Sequence, residues 1–204
     1  MILLFVLSLL VSMPSSSWAA SEAYREGDLI FHQSQGFQSL AILEATGSPW
    51  SHVGIILKNK SGAWVVAEAS RPVRIVSLKA FMNRGRDGGY RIYRARDFKA
   101  SQLPALRAAI QAELGKPYDI YFEWSDDAIY CSELTYKVFL KASGIELGDV
   151  QKFSDLHLNG PFVRALIRER LTKTGRDLNL GEPIVTPISQ MNDDDLELVL
   201  GKGP

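Results

Sequence analysis

Two β-rich segments separated by a short polar turn restrict most strongly what this chain can fold into. The first covers residues 51–57, the second covers residues 63–69, and the turn between them reads NKSG at residues 59–62. β-branched and aliphatic runs on either side of a glycine-containing turn are typical of a β-hairpin. The sequence therefore predicts a pair of antiparallel strands whose ends lie close together on the side away from the turn.

Two ionisable residues, His52 and Glu68, lie near the open end of this predicted hairpin. A small offset or bulge would bring their side chains into contact across the strands. A carboxylate on one ring nitrogen fixes the orientation and tautomer of an imidazole that acts as a base. Alternatively, His52 is an ordinary edge-strand histidine and Glu68 serves a strand face. The other histidines, His32 and His157, lie in less ordered context, which favours His52 as the base.

The only cysteine of the chain, Cys131, lies where an irregular segment becomes an apolar-periodic helix, in the sequence IYCSEL at residues 129–134. Free backbone N–H groups and the positive end of the helix dipole stabilise a thiolate at such a position. The alternative is a small buried apolar side chain. The predicted helix covers residues 131–143 and ends at Gly144.

The N-terminus has the pattern of an export signal. An apolar run over residues 1–11 is followed by PSSS at 14–17 and by small residues that favour cleavage after Ala19 or Ala20. An uncleaved signal anchor is the alternative. The cleavage site contains no cysteine, so a lipid anchor is not supported. We therefore predict a signal peptide at residues 1–20, one domain at residues 21–204, a periplasmic or secreted location and no membrane span after cleavage.

The charge balance argues against nucleic acid as a partner, because 23 basic residues offset 23 acidic ones. A local cluster of arginines at positions 84, 86, 91, 94 and 96 is interleaved with aspartates. Such a pattern favours a solvated loop and strand face over a binding patch.

Further elements follow from periodicity and turn residues. Strands are predicted at 27–31, 73–76 and 90–93, and helices at 37–46, 78–83 and 101–114, the last with Ser101 as N-cap. The alternating residues 196–200 predict a terminal strand after three aspartates. The aromatic residues Tyr121, Phe122 and Trp124 either line a substrate groove or belong to the core.

Six of these segments together resemble one family over nearly the whole predicted mature chain. They are GDLIF at 27–31, SHVGI at 51–55, Glu68, GKPYD at 115–119, YCSEL at 130–134 and IVTP at 184–187. They are similar to the YiiX-like, circularly permuted branch of the NlpC-type papain-like cysteine hydrolases. In unpermuted members the cysteine helix precedes the histidine strand, whereas here the histidine comes first.

This resemblance implies an α+β, papain-like fold with a central antiparallel sheet packed against the cysteine-bearing helix. It implies Cys131 as the nucleophile, His52 as the base and Glu68 as the third member of a triad. Tyr118 or Tyr130 is expected near the oxyanion site, and Ser132 is a further candidate there. Neither a cofactor nor a metal is expected, since one cysteine and three scattered histidines give no zinc-binding spacing.

The leading functional hypothesis is an exported cysteine hydrolase that cleaves an amide bond, in a cell-wall peptide or a related substrate, through a Cys131 thioester. The second is a lipid-directed esterase or acyltransferase of the same fold. YCSEL resembles the bacterial YiiX type more than the lecithin retinol acyltransferase type, which favours the first. The third is a catalytically silent binding domain that keeps the groove. The sequence makes no prediction of oligomeric state.

Overall fold

The structure, a computed structural model, describes residues 23–175 and 177–203. The predicted signal peptide, residues 1–20, and the first two residues of the predicted mature chain lie outside the described residues. The strands are β1 (Leu29–His32), β2 (His52–Lys58), β3 (Trp64–Glu68), β4 (Arg74–Ser77), β5 (Tyr90–Ala95), β6 (Gln151–Lys152), β7 (Pro183–Ile184) and β8 (Leu196–Lys202). The α-helices are α1 (Phe37–Thr46), α2 (Leu78–Met82), α3 (Leu103–Glu113), α4 (Cys131–Ser143), α5 (Pro161–Thr174) and α6 (Pro187–Met191).

A six-stranded antiparallel sheet forms the centre of the fold, in the order β4-β3-β2-β1-β5-β8. The predicted hairpin is present as β2 and β3, with Ile55 opposite Ala67 and Lys58 opposite Trp64. The predicted terminal strand is also present, because β8 pairs with β5 at one edge of the sheet. Residues 196–202 therefore belong to the sheet.

The two faces of the sheet are covered by different helices. Leu29, Val53 and Ile55 point to one face and pack in the cluster that contains α3 and α4. Ile30 and Ile56, which alternate with them along the strands, point to the other face and pack on α2. The cysteine-bearing helix α4 is thus packed directly on the central strands, as the family resemblance implies.

The start of α3 corrects one prediction. Residues 100–102 form a short 3₁₀ turn, and α3 begins at Leu103 with Gln102 rather than Ser101 as N-cap. The side-chain oxygen of Gln102 accepts the backbone N–H of Lys99 at 2.8 Å, which stabilises the preceding turn. Pro104 then lies in the first turn of the helix, where its missing N–H costs nothing. Because Ser101 lies within the 3₁₀ turn, it is not the N-cap of α3.

The helix α4 agrees with its prediction at both ends. It begins at Cys131 and ends at Gly144, whose φ of 75° is the left-handed conformation that glycine adopts readily. A carboxylate oxygen of Glu133, in the first turn, accepts the backbone N–H of Tyr130 at 3.2 Å. In the described residues, no helix is long and apolar enough to cross a bilayer.

Candidate active site

Cys131 is the first residue of α4 and is 3% exposed. It packs in the same apolar cluster as Val53, which follows His52 in β2. Because α4 lies on β2, the start of the helix meets the start of the strand. The sheet and the helix thereby bring together two side chains that are 79 positions apart in the sequence.

His52 contacts Glu68 directly. Its Nε2 atom lies 2.8 Å from Oε2 of Glu68, and the His52 side chain is 13% exposed. On its other side, His52 lies close enough to Cys131 for each group to shift the pKa of the other. Since Nε2 is held by the carboxylate, Nδ1 is the nitrogen left for the thiol. The structure therefore joins the three residues proposed from the sequence in one chain of contacts.

Gly54 explains why the histidine strand reads SHVGI. A methyl group at this position would collide with Val66 and would lie 3.1 Å from the Phe81 ring. Without it, the Phe81 ring packs against the strand and stacks on the His52 ring, with centroids 5.5 Å apart and planes inclined by 22°. A larger residue at 54 would displace the ring that holds His52 in place.

Glu68 is completely buried and has three partners. Besides His52, Arg74 donates from Nε to Oε1 at 3.0 Å, and Arg84 donates from Nη2 to Oε2 at 2.6 Å. Burial would raise the pKa of Glu68, but the hydrogen bonds from His52 and Arg84 lower it to about 2. The carboxylate is therefore ionised throughout the ordinary pH range and is held by several donors at once.

The same contacts favour charge separation between the thiol and the imidazole. Burial would lower the pKa of His52, but its hydrogen bonds to Cys131 and Glu68 outweigh burial and raise it to about 9. Burial would raise the pKa of the Cys131 thiol, but His52 and the backbone N–H groups of Val53 and Ser132 lower it. A thiolate and an imidazolium are the forms that this arrangement stabilises.

His32 was not among the site residues predicted from the sequence. The prediction that it lies in a less ordered segment is wrong. It lies in β1, directly opposite His52, with ring centroids 5.1 Å apart and only 2% of its surface exposed. Neither of its ring nitrogens has a hydrogen-bond partner among the described residues. Burial, followed by the nearby charge of His52, lowers the pKa of His32 to about 3. The ring is therefore neutral and adds no charge beside His52.

The arginine-rich stretch has a role that its sequence pattern did not predict. Two of its partly exposed members bind buried carboxylates, since Arg84 binds Glu68 and Arg94 binds both oxygens of Asp28 at 2.8 Å. The pattern of interleaved charges in the sequence cannot show which arginines the fold turns toward a buried carboxylate. The buried carboxylate of Asp28, which precedes β1, is thus held by Arg94.

The segment at residues 184–187 supports the start of α4. The Ser132 hydroxyl donates to the carbonyl of Val185 at 2.9 Å, and the backbone N–H of Val185 donates to the Tyr130 hydroxyl at 3.2 Å. Gln190, in α6, donates to the carbonyl of Ser132 at 3.0 Å. The side-chain hydroxyls of Tyr130 and Ser132 thus bind the backbone N–H and carbonyl of one residue, Val185. Their positions beside Cys131 agree with the sequence, while their hydroxyls have structural partners.

Tyr118 has a different environment. Its hydroxyl accepts a hydrogen bond from Nε2 of Gln38 at 2.9 Å, which leaves its own proton for another acceptor. Burial and the charge of Cys131 raise the pKa of Tyr118, so the hydroxyl keeps that proton. The Tyr118 side chain lines both an apolar cavity beside Cys131 and a second cavity beside His52. The Tyr130 hydroxyl also accepts one hydrogen bond and keeps its proton, but of these two tyrosines only Tyr118 lines the cavity beside His52.

An apolar cavity extends from Cys131 between α1, α5 and the segment at 184–187. Tyr121 and Phe122 line it, together with Leu166, Ile167 and Val185. Phe122 also packs edge-on against Tyr130 with centroids 5.3 Å apart, and Trp124 packs against Tyr136 at 5.4 Å. The aromatic run therefore contributes both to a groove and to the core. From the sequence alone, these two roles were alternatives.

Comparisons with known proteins agree with this architecture. Residues 23–200 match the family described as permuted papain-like amidases, YaeF/YiiX, C92 family. The chain is 38% identical over 186 residues to the uncharacterized protein YiiX of Escherichia coli strain K12, across 90% of this chain and 88% of YiiX. A crystal structure described as that of the metalloprotein YiiX from Escherichia coli O157:H7, DUF1105, has a TM-score of 0.83 and 35% identity. That likeness covers 88% of this chain and 98% of the other.

These comparisons confirm the family resemblance and the papain-like α+β fold expected from it. The order of the elements, with β2 before α4, is that of the permuted branch. The chain belongs to the family of permuted papain-like amidases that includes YaeF and YiiX.

Proposed function

We propose that the chain is an exported cysteine amidase with Cys131 as nucleophile, His52 as base and Glu68 as the residue that orients His52. One observation carries this proposal: the buried carboxylate of Glu68 binds Nε2 of His52, and His52 lies beside Cys131 at the start of α4. Membership of an amidase family supports the reaction class. A buried cysteine of purely structural role would need no charged partner.

In the proposed reaction the Cys131 thiolate attacks the carbonyl carbon of the substrate and forms a carbon–sulfur bond. Backbone N–H groups at the start of α4 and the Tyr118 hydroxyl donate to the resulting oxyanion. The intermediate collapses with cleavage of the carbon–nitrogen bond, and the His52 imidazolium gives its proton to the departing amine. Water then attacks the thioester with His52 as base, which releases a carboxylic acid and regenerates the thiol.

The substrate proposed first is an amide in a cell-wall peptide or a related compound, which fits the family and the predicted export signal. A second candidate, a lipid amide or ester, is favoured by the apolar cavity beside Cys131. Its aliphatic and aromatic lining suits an acyl chain better than a polar peptide side chain. Both candidates use the same thioester chemistry and differ in the group that occupies this cavity.

A metal has no part in this proposal. YiiX from Escherichia coli O157:H7 is described as a metalloprotein. In residues 23–175 and 177–203 of this chain, no group of three or more His, Cys, Asp or Glu side chains is placed to hold a metal ion. Glu68, the carboxylate beside His52, has both oxygens bound by arginines. The residues present therefore do not fit a metal centre, and no step above is derived through one.

The proposal is tested with the purified protein on two substrate sets, cell-wall peptide fragments and acylated lipids, with Cys131→Ala as the inactive control. Release of an amine from wild type but not from Cys131→Ala supports the amidase. Lipid hydrolysis or acyl transfer with no peptide cleavage would favour the second candidate. A thiol-directed probe distinguishes the silent binding domain, because failure to label Cys131, together with inactivity on both sets, would contradict any catalytic role.

Export is tested separately. N-terminal sequencing of the protein recovered from outside the cytoplasm should give Ala20 or Ser21 as the first residue. A mature protein that still begins at Met1 would contradict cleavage and favour the anchor.

A further inference from the structure

We propose that a basic cleft on the His52 side of the site binds an anionic group, a carboxylate or a phosphate, carried by the leaving amine of the substrate. This inference rests on the proposed function and narrows its substrate class. The basic cleft is a cavity of about 690 Å³. Its lining includes His32, His52, Arg71, Arg74, Arg84 and Tyr118.

The charge of this cleft is one-sided. Three guanidinium groups line it, and among its lining residues in the described part of the chain there is no Asp or Glu. Glu68 lies behind the wall, where it is completely buried and binds Arg74 and Arg84. Arg71 is exposed, and no carboxylate of the described residues forms an ion pair with it. Positive charge therefore exceeds negative charge at the cleft.

The arginines are also positioned for recognition. Because Glu68 fixes Arg74 through Nε and Arg84 through Nη2, the remaining N–H groups of both side chains are held in place. Their side chains are 42% and 37% exposed, although the Nε atom of Arg84 is itself buried. Planar guanidinium groups bind carboxylates and phosphates with paired hydrogen bonds. Arginines that served only to hold Glu68 would not require Arg71 beside them.

The residues that line each cavity indicate that the anionic group belongs to the amine part of the substrate rather than to the acyl part. Cys131 lines the apolar cavity but not the basic cleft, whereas His52 lines the basic cleft but not the apolar cavity. The acyl group stays bonded to the cysteine sulfur after cleavage, and the amine leaves with a proton from His52. The acyl part should therefore extend into the apolar cavity, and the amine should extend into the basic cleft.

The test compares three N-acyl amides with the same acyl group. The amine is glycine in the first, the neutral glycinamide in the second and aminomethylphosphonate in the third. We expect kcat/KM for an amide whose amine part carries an anionic group to exceed that for the glycinamide compound by about tenfold or more. Hydrogen bonds to charged groups contribute free energies of this size. A preference for glycine identifies a carboxylate as the natural group, and a preference for the phosphonate identifies a phosphate.

Arg71→Gln is the informative variant, because Arg71 does not contact Glu68. It should reduce the ratio of kcat/KM between the charged and neutral amides by about fivefold or more, mainly through KM. Arg96→Gln is the matched control, since it removes one positive charge from a residue paired with Glu197 near β8, at the opposite edge of the sheet from β4. It should leave the ratio as in wild type.

Two results would overturn the proposal: equal or better cleavage of the neutral amide, or a charge preference that Arg71→Gln leaves intact. Calorimetric binding of N-acylglycine and N-acylglycinamide to Cys131→Ala provides a readout without turnover. If the wild-type protein cleaves no amide but this variant binds the charged compound more tightly than the neutral one, the amidase fails and the anion site stands. Equal binding of the two compounds would remove the anion site.

Discussion

The Nε2 atom of His52 lies 2.8 Å from Oε2 of Glu68, although the two residues are not direct partners in the hairpin. Ile55 pairs with Ala67, so continuation of the ladder places Glu68 opposite Gly54, two positions from His52. Diagonal neighbours on one face are within reach of long side chains. The contact therefore depends on the register of β2 and β3 and on the glycine between the two levels.

The first prediction concerns Glu68. Glu68→Gln keeps the shape but loses the charge that stabilises the His52 imidazolium, so kcat should fall while the protein still folds. Glu68→Ala should be worse, and His52→Ala should be at least as damaging, with a loss of roughly 10²–10⁴-fold. Adding Glu68→Ala to His52→Ala should cost little more, since the two residues act as one unit. Turnover and melting temperature of all four variants provide the measurement.

Glu197→Gln is the control for this series, because it removes a carboxylate that is 44% exposed and pairs with Arg96. Activity close to wild type in Glu68→Ala would remove Glu68 from the site. The orienting group would then have to be a backbone carbonyl, because Asp28 is bound by Arg94.

The second prediction concerns the pH dependence of Cys131. Because the pKa of its thiol is lowered, iodoacetamide should alkylate it faster at pH 7 than it alkylates a model thiol, and the rate should rise less steeply between pH 7 and 8.5. A model thiol with a pKa of about 8.5 becomes steadily more reactive over the same range. His52→Ala removes the main partner of the thiolate and should restore that rise.

Hydrolysis should decrease as the pH rises through about 9, where His52 loses the proton that the leaving amine requires. Alkylation that follows the model thiol in wild type, with activity intact after modification, would contradict the role of Cys131 as nucleophile.

The third prediction concerns Glu133, which is completely buried in the first turn of α4. Burial raises its pKa from 4.5 to about 7, although the nearby Lys137 opposes this. Between these two pH values the unfolded chain releases a proton that the folded chain keeps. The free energy of unfolding should therefore fall as the pH rises from 4.5 to 7, by roughly 1–3 kcal/mol from this group, and change little above that.

In Glu133→Gln the free energy of unfolding should lack this part of the decrease between pH 4.5 and pH 7. The difference between wild type and variant, measured by urea unfolding at pH 4.5 and at pH 8, isolates the contribution of Glu133 from those of His52 and Glu68. The same difference at both pH values would show that Glu133 titrates normally. Glu197→Gln, at an exposed carboxylate, serves again as control.

The fourth prediction concerns β8. Deletion from Leu196 onward removes the strand that pairs with β5 from Tyr90 to Ala95. It also exposes apolar surface, since Leu196 is 5% exposed and lies in the main core. We expect a loss of roughly 2–4 kcal/mol in the free energy of unfolding, of the size seen when a buried leucine is removed. Removal of the last two residues alone is the control, and an unchanged melting temperature after the longer deletion would contradict the prediction.

The sequence alone determined the local elements and their order. Alternating apolar residues and a glycine turn specified the hairpin of β2 and β3, and apolar periodicity with Gly144 specified α4. These patterns are local, because propensity and periodicity act over a few turns or strand pairs. They also placed His52, Glu68 and Cys131 at element ends, and the family resemblance added their proposed roles. Even there the signal has limits, since Ser101 has a good N-cap residue type but lies inside the 3₁₀ turn that precedes α3.

Only the tertiary structure decided what surrounds these three residues. Arg74 and Arg84 bind Glu68 because the packing of β4 and α2 against β3 brings them to it, and no spacing in the sequence encodes that approach. His32 faces His52 because β1 pairs with β2. Long-range pairing and burial also set the charge states, since the pKa values of Glu68 and His52 depend on partners distant in the chain. Sequence patterns report short-range preference, whereas the electrostatics of a buried site arise from contacts that form only when the whole sheet assembles.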